Sequence, residues 1–198
     1  MRLGVLVSGR GSNLEAVLRA GLDVRLVISN RPGVRALEVA AAHDVPSVVL
    51  RASDFADASA RDAAIGKALT GAGVELAVLA GYDRLLRPSY FADFDGRTIN
   101  IHPSLLPAHG GAGMVGLAVH RSVLAAGEVA TGVTIHEVTS DLDDGPILAQ
   151  SSVPVLPGDD AETLAARVLA EEHRLLVATL RSSRWPNPGM SRPVNNDR

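Results

Sequence analysis

The sequence contains no cysteine, which excludes disulfide frameworks, thiolate zinc sites and cysteine nucleophiles together. It also lacks any block of basic residues. Its 19 lysines and arginines against 22 acids leave a formal charge of −3, so nucleic acid has no electrostatic footprint to bind. No apolar run is long enough to span a bilayer. The apolar stretch ahead of Ser8-Gly9 is too short for a signal peptide, so the expectation is a cytoplasmic protein with neither nucleic acid nor membrane as partner. What the chain does have is apolar surface to bury: 46% hydrophobic against 21% charged argues for a globular fold. A length of 198 residues suits one domain, expected over 1–180, with a loose tail rich in Ser, Arg, Asn and Pro at 181–198.

Residues 3–7 are a continuous apolar run feeding Ser8-Gly9-Arg10-Gly11-Ser12-Asn13, as a buried parallel strand does when it opens into a glycine-rich turn. The helix predicted over 14–20 has Ser12 or Asn13 as its N-cap. Glycine lets a backbone approach a ligand closely, and N–H groups at a helix start favour an anion. Gly11, Ser12 and Asn13 are therefore a candidate phosphate turn. A dinucleotide fingerprint would want a small residue where Leu14 stands, and the run at 24–28 ends in Ser29-Asn30-Arg31 with no acid for a ribose. A nucleotide reductase is thus a minor alternative.

Helical patterns over 32–43 and within 51–73 alternate with strands at 45–50 and 76–80. That alternation predicts an α/β fold, a doubly wound and mostly parallel central sheet with helices on both faces. A further helix is expected over 119–127. Strands at 132–138 and 147–155 are joined too closely for a crossover, so they should pair antiparallel. A last helix opens near Asp160 and runs to about 180.

The chemistry gathers at residues 98–107. Ile99 and Ile101 take one face of a strand, and Asn100 and His102 take the other. Pro103 and Pro107 end the strand in a rigid loop, at the strand end where open α/β sheets place ligands. An amide beside an imidazole can hold an oxyanion while the imidazole moves a proton. The bland alternative is two polar residues satisfying local backbone groups. His102, His109, His120 and His136 with Asp143 lack tight metal-ligand spacing, so no metal is expected. His120 and His136 are expected to be structural, with His136 packed behind the site. The acids Glu137, Asp141, Asp143 and Asp144 read on their own as a solvated turn.

Asn100-Ile101-His102-Pro103-Ser104-Leu105-Leu106-Pro107 resembles the signature of the folate-dependent formyltransferases, and the likeness continues in order and spacing from Ser8 to His173. The resemblance implies formyl transfer from the cosubstrate 10-formyltetrahydrofolate to an amine, glycinamide ribonucleotide of purine synthesis being the acceptor expected. Leu142-Asp143-x-Gly-Pro-Ile supplies the family's aspartate, so Asn100, His102 and Asp143 are the implied catalytic residues. His102 would be held cationic by Asp143. Gly11, Ser12 and Asn13 would hold the substrate phosphate and Glu172 its glycinamide end. Tyr82, Arg84, Leu85, Leu86, Asp141 and Leu142 would bind the folate. The chain departs from the family at Ala58, where an arginine is common, at Asp83, where an apolar residue is usual, and at Leu169, where a polar one is frequent. It also departs in the glycine-rich stretch 110–116, longer than the compact loop of the short family members. The activities that share the signature are the alternatives: formyltetrahydrofolate deformylase, or transfer to another amino nucleotide or amino sugar. A monomer or a homodimer fits the reading equally.

Overall fold

The computed structural model describes residues 1–140 and 143–182. The strands are β1 (Leu3–Val7), β2 (Val24–Ser29), β3 (Ser47–Val49), β4 (Leu76–Leu79), β5 (Arg97–His102), β6 (Ala130–Glu137) and β7 (Ile147–Pro154). The helices are α1 (Ser12–Arg19), α2 (Arg35–Ala42), α3 (Ala58–Gly71), α4 (Pro88–Asp93), α5 (Leu117–Ala125) and α6 (Ala161–Arg181). All seven strands form one sheet in the order β3-β2-β1-β4-β5-β6-β7. The first five pair in parallel, and β6 and β7 pair antiparallel, as the short 138–146 connection requires. The sheet is the doubly wound, mostly parallel one expected.

Alternation along each strand builds the two cores. Leu3, Val5 and Val7 of β1 with Val78 and Ile99 face α1, α2, α5 and α6, where Leu14, Val17, Val39, Val123, Leu164 and Leu176 are buried. Leu6, Ile28, Ala77 and Leu79 point the other way, onto Ile65 and Leu69 of α3 and Tyr90 of α4. Each Leu, Ile or Val among them contributes about 1.5–3 kcal/mol on burial, which is why a one-residue register slip is not tolerated. Among the described residues no helix is long and apolar enough to cross a membrane.

Three local expectations are corrected. The N-cap of α1 is Gly11, with φ 74°, not Ser12 or Asn13, and no side chain caps the helix. Any Cβ at Gly11 would come within 2.7 Å of Ala36, so α2 packs where only glycine fits. Second, α2 begins at Arg35 rather than Pro32, because Gly33 takes φ 65° and turns the chain first. Third, α4 was not expected. Its signal was present, since Pro88 stands at its first turn, where a missing N–H costs nothing.

Candidate active site

The direction of winding reverses between β1 and β4, and the chain leaves a cleft of about 480 Å³ beyond their carboxyl ends and that of β5. Its lining brings together residues that the sequence holds far apart: Gly11, Ser12 and Asn13 from the β1–α1 turn; Tyr82, Arg84, Leu85 and Leu86 after β4; Asn100 and His102 of β5; Asp143; and Glu172 of α6. Every predicted site residue within the described part of the chain lines this one cleft. Asp141 and Leu142 lie outside the described residues.

The register of the sheet sets the reacting groups. Asn100 pairs across the antiparallel ladder with His136, and His102 with Thr134. The Asn100 amide donates to His136 Nε2 at 3.1 Å, while His136 Nδ1 donates to the Glu137 carbonyl at 2.9 Å. An amide nitrogen carries two N–H groups, so Asn100 keeps one for a ligand. Thr134 pins the loop after β5: its hydroxyl donates to the Ser104 carbonyl at 2.7 Å and accepts from the Leu106 N–H at 3.0 Å. Gln150 of β7 donates to the same hydroxyl and to the Leu106 carbonyl, both at 2.9 Å. The strand end carrying His102 is thus held rigidly, as a reacting group must be.

His102 Nε2 donates to the His109 carbonyl at 3.0 Å, and its Nδ1 lies 3.9 Å from Asp143 Oδ2. Asp143 Oδ1 lies 3.6 Å from His136 Nε2, and Asp143 Oδ2 accepts from the Gly111 N–H at 2.9 Å. Burial pushes the His102 pKa below its ordinary value, outweighing the opposing pull of the His109 carbonyl and Asp143. Against the expectation of a cationic His102, burial disfavours the charged ring more than a carboxylate at 3.9 Å favours it. Burial also pushes the Asp143 carboxyl up, but its polar surroundings, the Gly111 N–H donation among them, bring it below its usual value, so it is an anion.

At the other end of the cleft the Asn13 amide donates to Glu172 Oε2 at 2.5 Å. Desolvation raises the Glu172 pKa to about 7, against the lowering effects of Asn13 and Arg10. Asn13 Oδ1, Tyr82 Oη and His120 Nδ1 are buried cleft-lining atoms with no hydrogen-bond partner among the described residues. Unpaired polar atoms in a cleft are what a polar ligand would satisfy.

The departure at Asp83 is accounted for. Its carboxylate accepts from Ser8 Oγ at 3.0 Å and from Asn30 Nδ2 at 2.7 Å, and it pairs with Arg31. The acid ties the ends of β1, β2 and β4 together at the edge of the cleft. Met114, Val115, Leu117, Val138 and Ala165 join the lining without a signal in the sequence, and His120 and His136, expected to be structural, both face the cleft. For His136 a signal existed, since it shares a strand face with Thr134. For His120, at 4% exposure on α5, none did.

Fold and cleft together define a class: an α/β group-transfer protein with a ligand cleft at the switch point of its sheet, and an amide, an imidazole and a carboxylate converging at one end. The chain belongs to the formyl transferase family, which matches residues 1–180. It is 44% identical over 183 residues to the phosphoribosylglycinamide formyltransferase of Mycobacterium tuberculosis, covering 90% of this chain and 83% of that protein. It is 43% identical to the trifunctional purine biosynthetic protein adenosine-3 of Drosophila pseudoobscura pseudoobscura over 87% of this chain, but spans only 13% of that protein's length. In structure it resembles glycinamide ribonucleotide transformylase 1 of Symbiobacterium toebii, with a TM-score of 0.85, 41% identity, and 91% of this chain and 86% of that one covered.

Proposed function

We propose that this chain transfers the formyl group of 10-formyltetrahydrofolate to the amine of 5′-phosphoribosylglycinamide, giving the N-formyl ribonucleotide and tetrahydrofolate. The observation that carries the reading is the convergence of Asn100, His102 and Asp143 at one end of a cleft whose other end holds the Gly11–Ser12–Asn13 turn and Glu172. The likeness to single-activity relatives of similar length supports it.

In this reading the α1 start and its backbone N–H groups at Gly11, Ser12 and Asn13 hold the phosphate. Glu172 accepts from the amide or amine of the glycinamide. Tyr82, Leu85 and Leu86 supply an apolar wall for the folate ring, and the half-exposed Arg84 faces its acidic tail. The acceptor amine attacks the formyl carbon, leaving a negative oxygen and a positive nitrogen. Asn100 donates its second N–H to that oxygen, a contact worth most in the transition state. Neutral His102 takes the proton that the new amide nitrogen must lose, relayed by the Asp143 carboxylate, and returns it to the departing folate nitrogen. One proton leaves the amine and one arrives on the folate, so the sequence balances with no metal. The cytoplasm is the compartment this reading assigns.

The test is product identity. With both substrates present, mass spectrometry should find the ribonucleotide formylated on its glycinamide nitrogen. Formate with unmodified ribonucleotide would instead identify a deformylase.

A further inference from the structure

The glycine-rich segment after β5 does more than line the cleft. His102 Nε2 faces the His109 carbonyl at 3.0 Å, and a carbonyl can only accept. Nε2 therefore carries the proton of the neutral ring, which leaves Nδ1 as the lone-pair nitrogen facing Asp143. The direction of the His109 carbonyl is what selects this tautomer.

That carbonyl belongs to a residue in an unusual conformation. His109 has φ 56°, and the chain continues through Gly110, Gly111 and Gly113, the last two at φ 89° and 82°. Such a segment has few side chains with which to hold itself in place. The side chain of His109 is an exception: its Nδ1 lies 2.8 Å from Ser122 Oγ on α5, and its Nε2 lies 3.7 Å from Glu128 beyond the end of that helix. Two residues further on, the Gly111 N–H holds Asp143. One short stretch thus contacts both partners of the proton-moving pair, and its described side-chain tether to α5 is His109.

We propose that His109 is a positioning residue: anchored to Ser122, it aims its carbonyl at His102 and fixes the tautomer whose Nδ1 meets Asp143. The inference rests on the reading of His102 as the proton carrier. The anchor has a chemical requirement at position 109, a side chain that hydrogen-bonds at the Nδ1 position and tolerates positive φ. Asparagine meets both conditions, and alanine meets neither.

The test uses the full chain with 15N-labelled histidine, the His102 signals being assigned by their loss in His102→Gln. Above the His102 titration, wild type should show one tautomer, with Nε2 protonated and Nδ1 not. Ser122→Ala and His109→Ala should mix the tautomers and lower kcat about tenfold or more with the KM of both substrates unchanged, since small misplacements of a reacting group act on the chemical step. His109→Asn should restore both readouts. A pure Nε2–H tautomer in Ser122→Ala, or a fall in kcat without a tautomer change, would overturn the proposal. Should His109→Ala not fold, Ser122→Ala decides. The tautomer is read without turnover, so a wild-type enzyme that transfers no formyl group would sink the functional reading and leave this measurement to judge the anchor on its own.

Discussion

The Asn13 amide and the Glu172 carboxylate meet at 2.5 Å although 159 positions separate them in the chain. This contact joins the glycine-rich turn to α6 and closes one end of the cleft. Asn13 does not cap α1, because the helix starts at Ser12 and places Asn13 within its first turn.

Glu172 makes stability depend on pH. Its folded pKa, about 7, lies above the ordinary 4.5, so the native state holds a proton that the unfolded chain releases. The contribution is full below 4.5 and is lost as pH rises through about 7. Glu172→Gln, which keeps the shape and cannot ionise, should be more stable than wild type by about 3 kcal/mol at pH 8 and nearly equal to it at pH 4.5. Urea unfolding at both pH values measures this.

Burial gives His102 the opposite sign. Its proton is bound less tightly in the native state, so the imidazole should titrate below its ordinary 6.5, and stability should fall as pH drops through that value. A ring-proton NMR titration reads it directly. A midpoint above 6.5 would mean that Asp143 overrides burial after all.

Asp143→Asn keeps the volume and removes the charge that receives the proton. Turnover should fall by about 10²–10⁴ while both ligands still bind, as calorimetry would report. Asn100→Ala should cost about 10²–10³ in kcat with little change in KM. Near-normal rates in either variant would remove that residue from the mechanism.

Asp83→Ala should destabilise the fold. Asn30, at 8% exposure, would lose the acceptor for its amide, and a buried donor left unpaired costs about 1–3 kcal/mol. A lower urea midpoint with an unchanged slope is the expected result. The folate KM should rise as well, because the ends of β1, β2 and β4 would no longer be tied.

Much of this was legible in the sequence because its signals are local. The alternation at 99–102, the apolar runs ending in glycine turns and the short 138–146 connection are properties of neighbouring residues, and they specified the sheet and the convergence of Asn100 and His102. The Asn13–Glu172 bond, the Asn100–His136 pairing and the His109 carbonyl on His102 are products of register and packing, which no single stretch encodes. The charge balance at His102 is not legible for the same reason: a carboxylate implied by the sequence pattern comes without a distance, and the distance sets how far it offsets desolvation.

The central claim is tested most directly by following tetrahydrofolate release from 10-formyltetrahydrofolate with and without glycinamide ribonucleotide. The account predicts release only when the ribonucleotide is present, in step with formation of the formylated product. Release at the same rate without it, with formate as the product, would contradict the account.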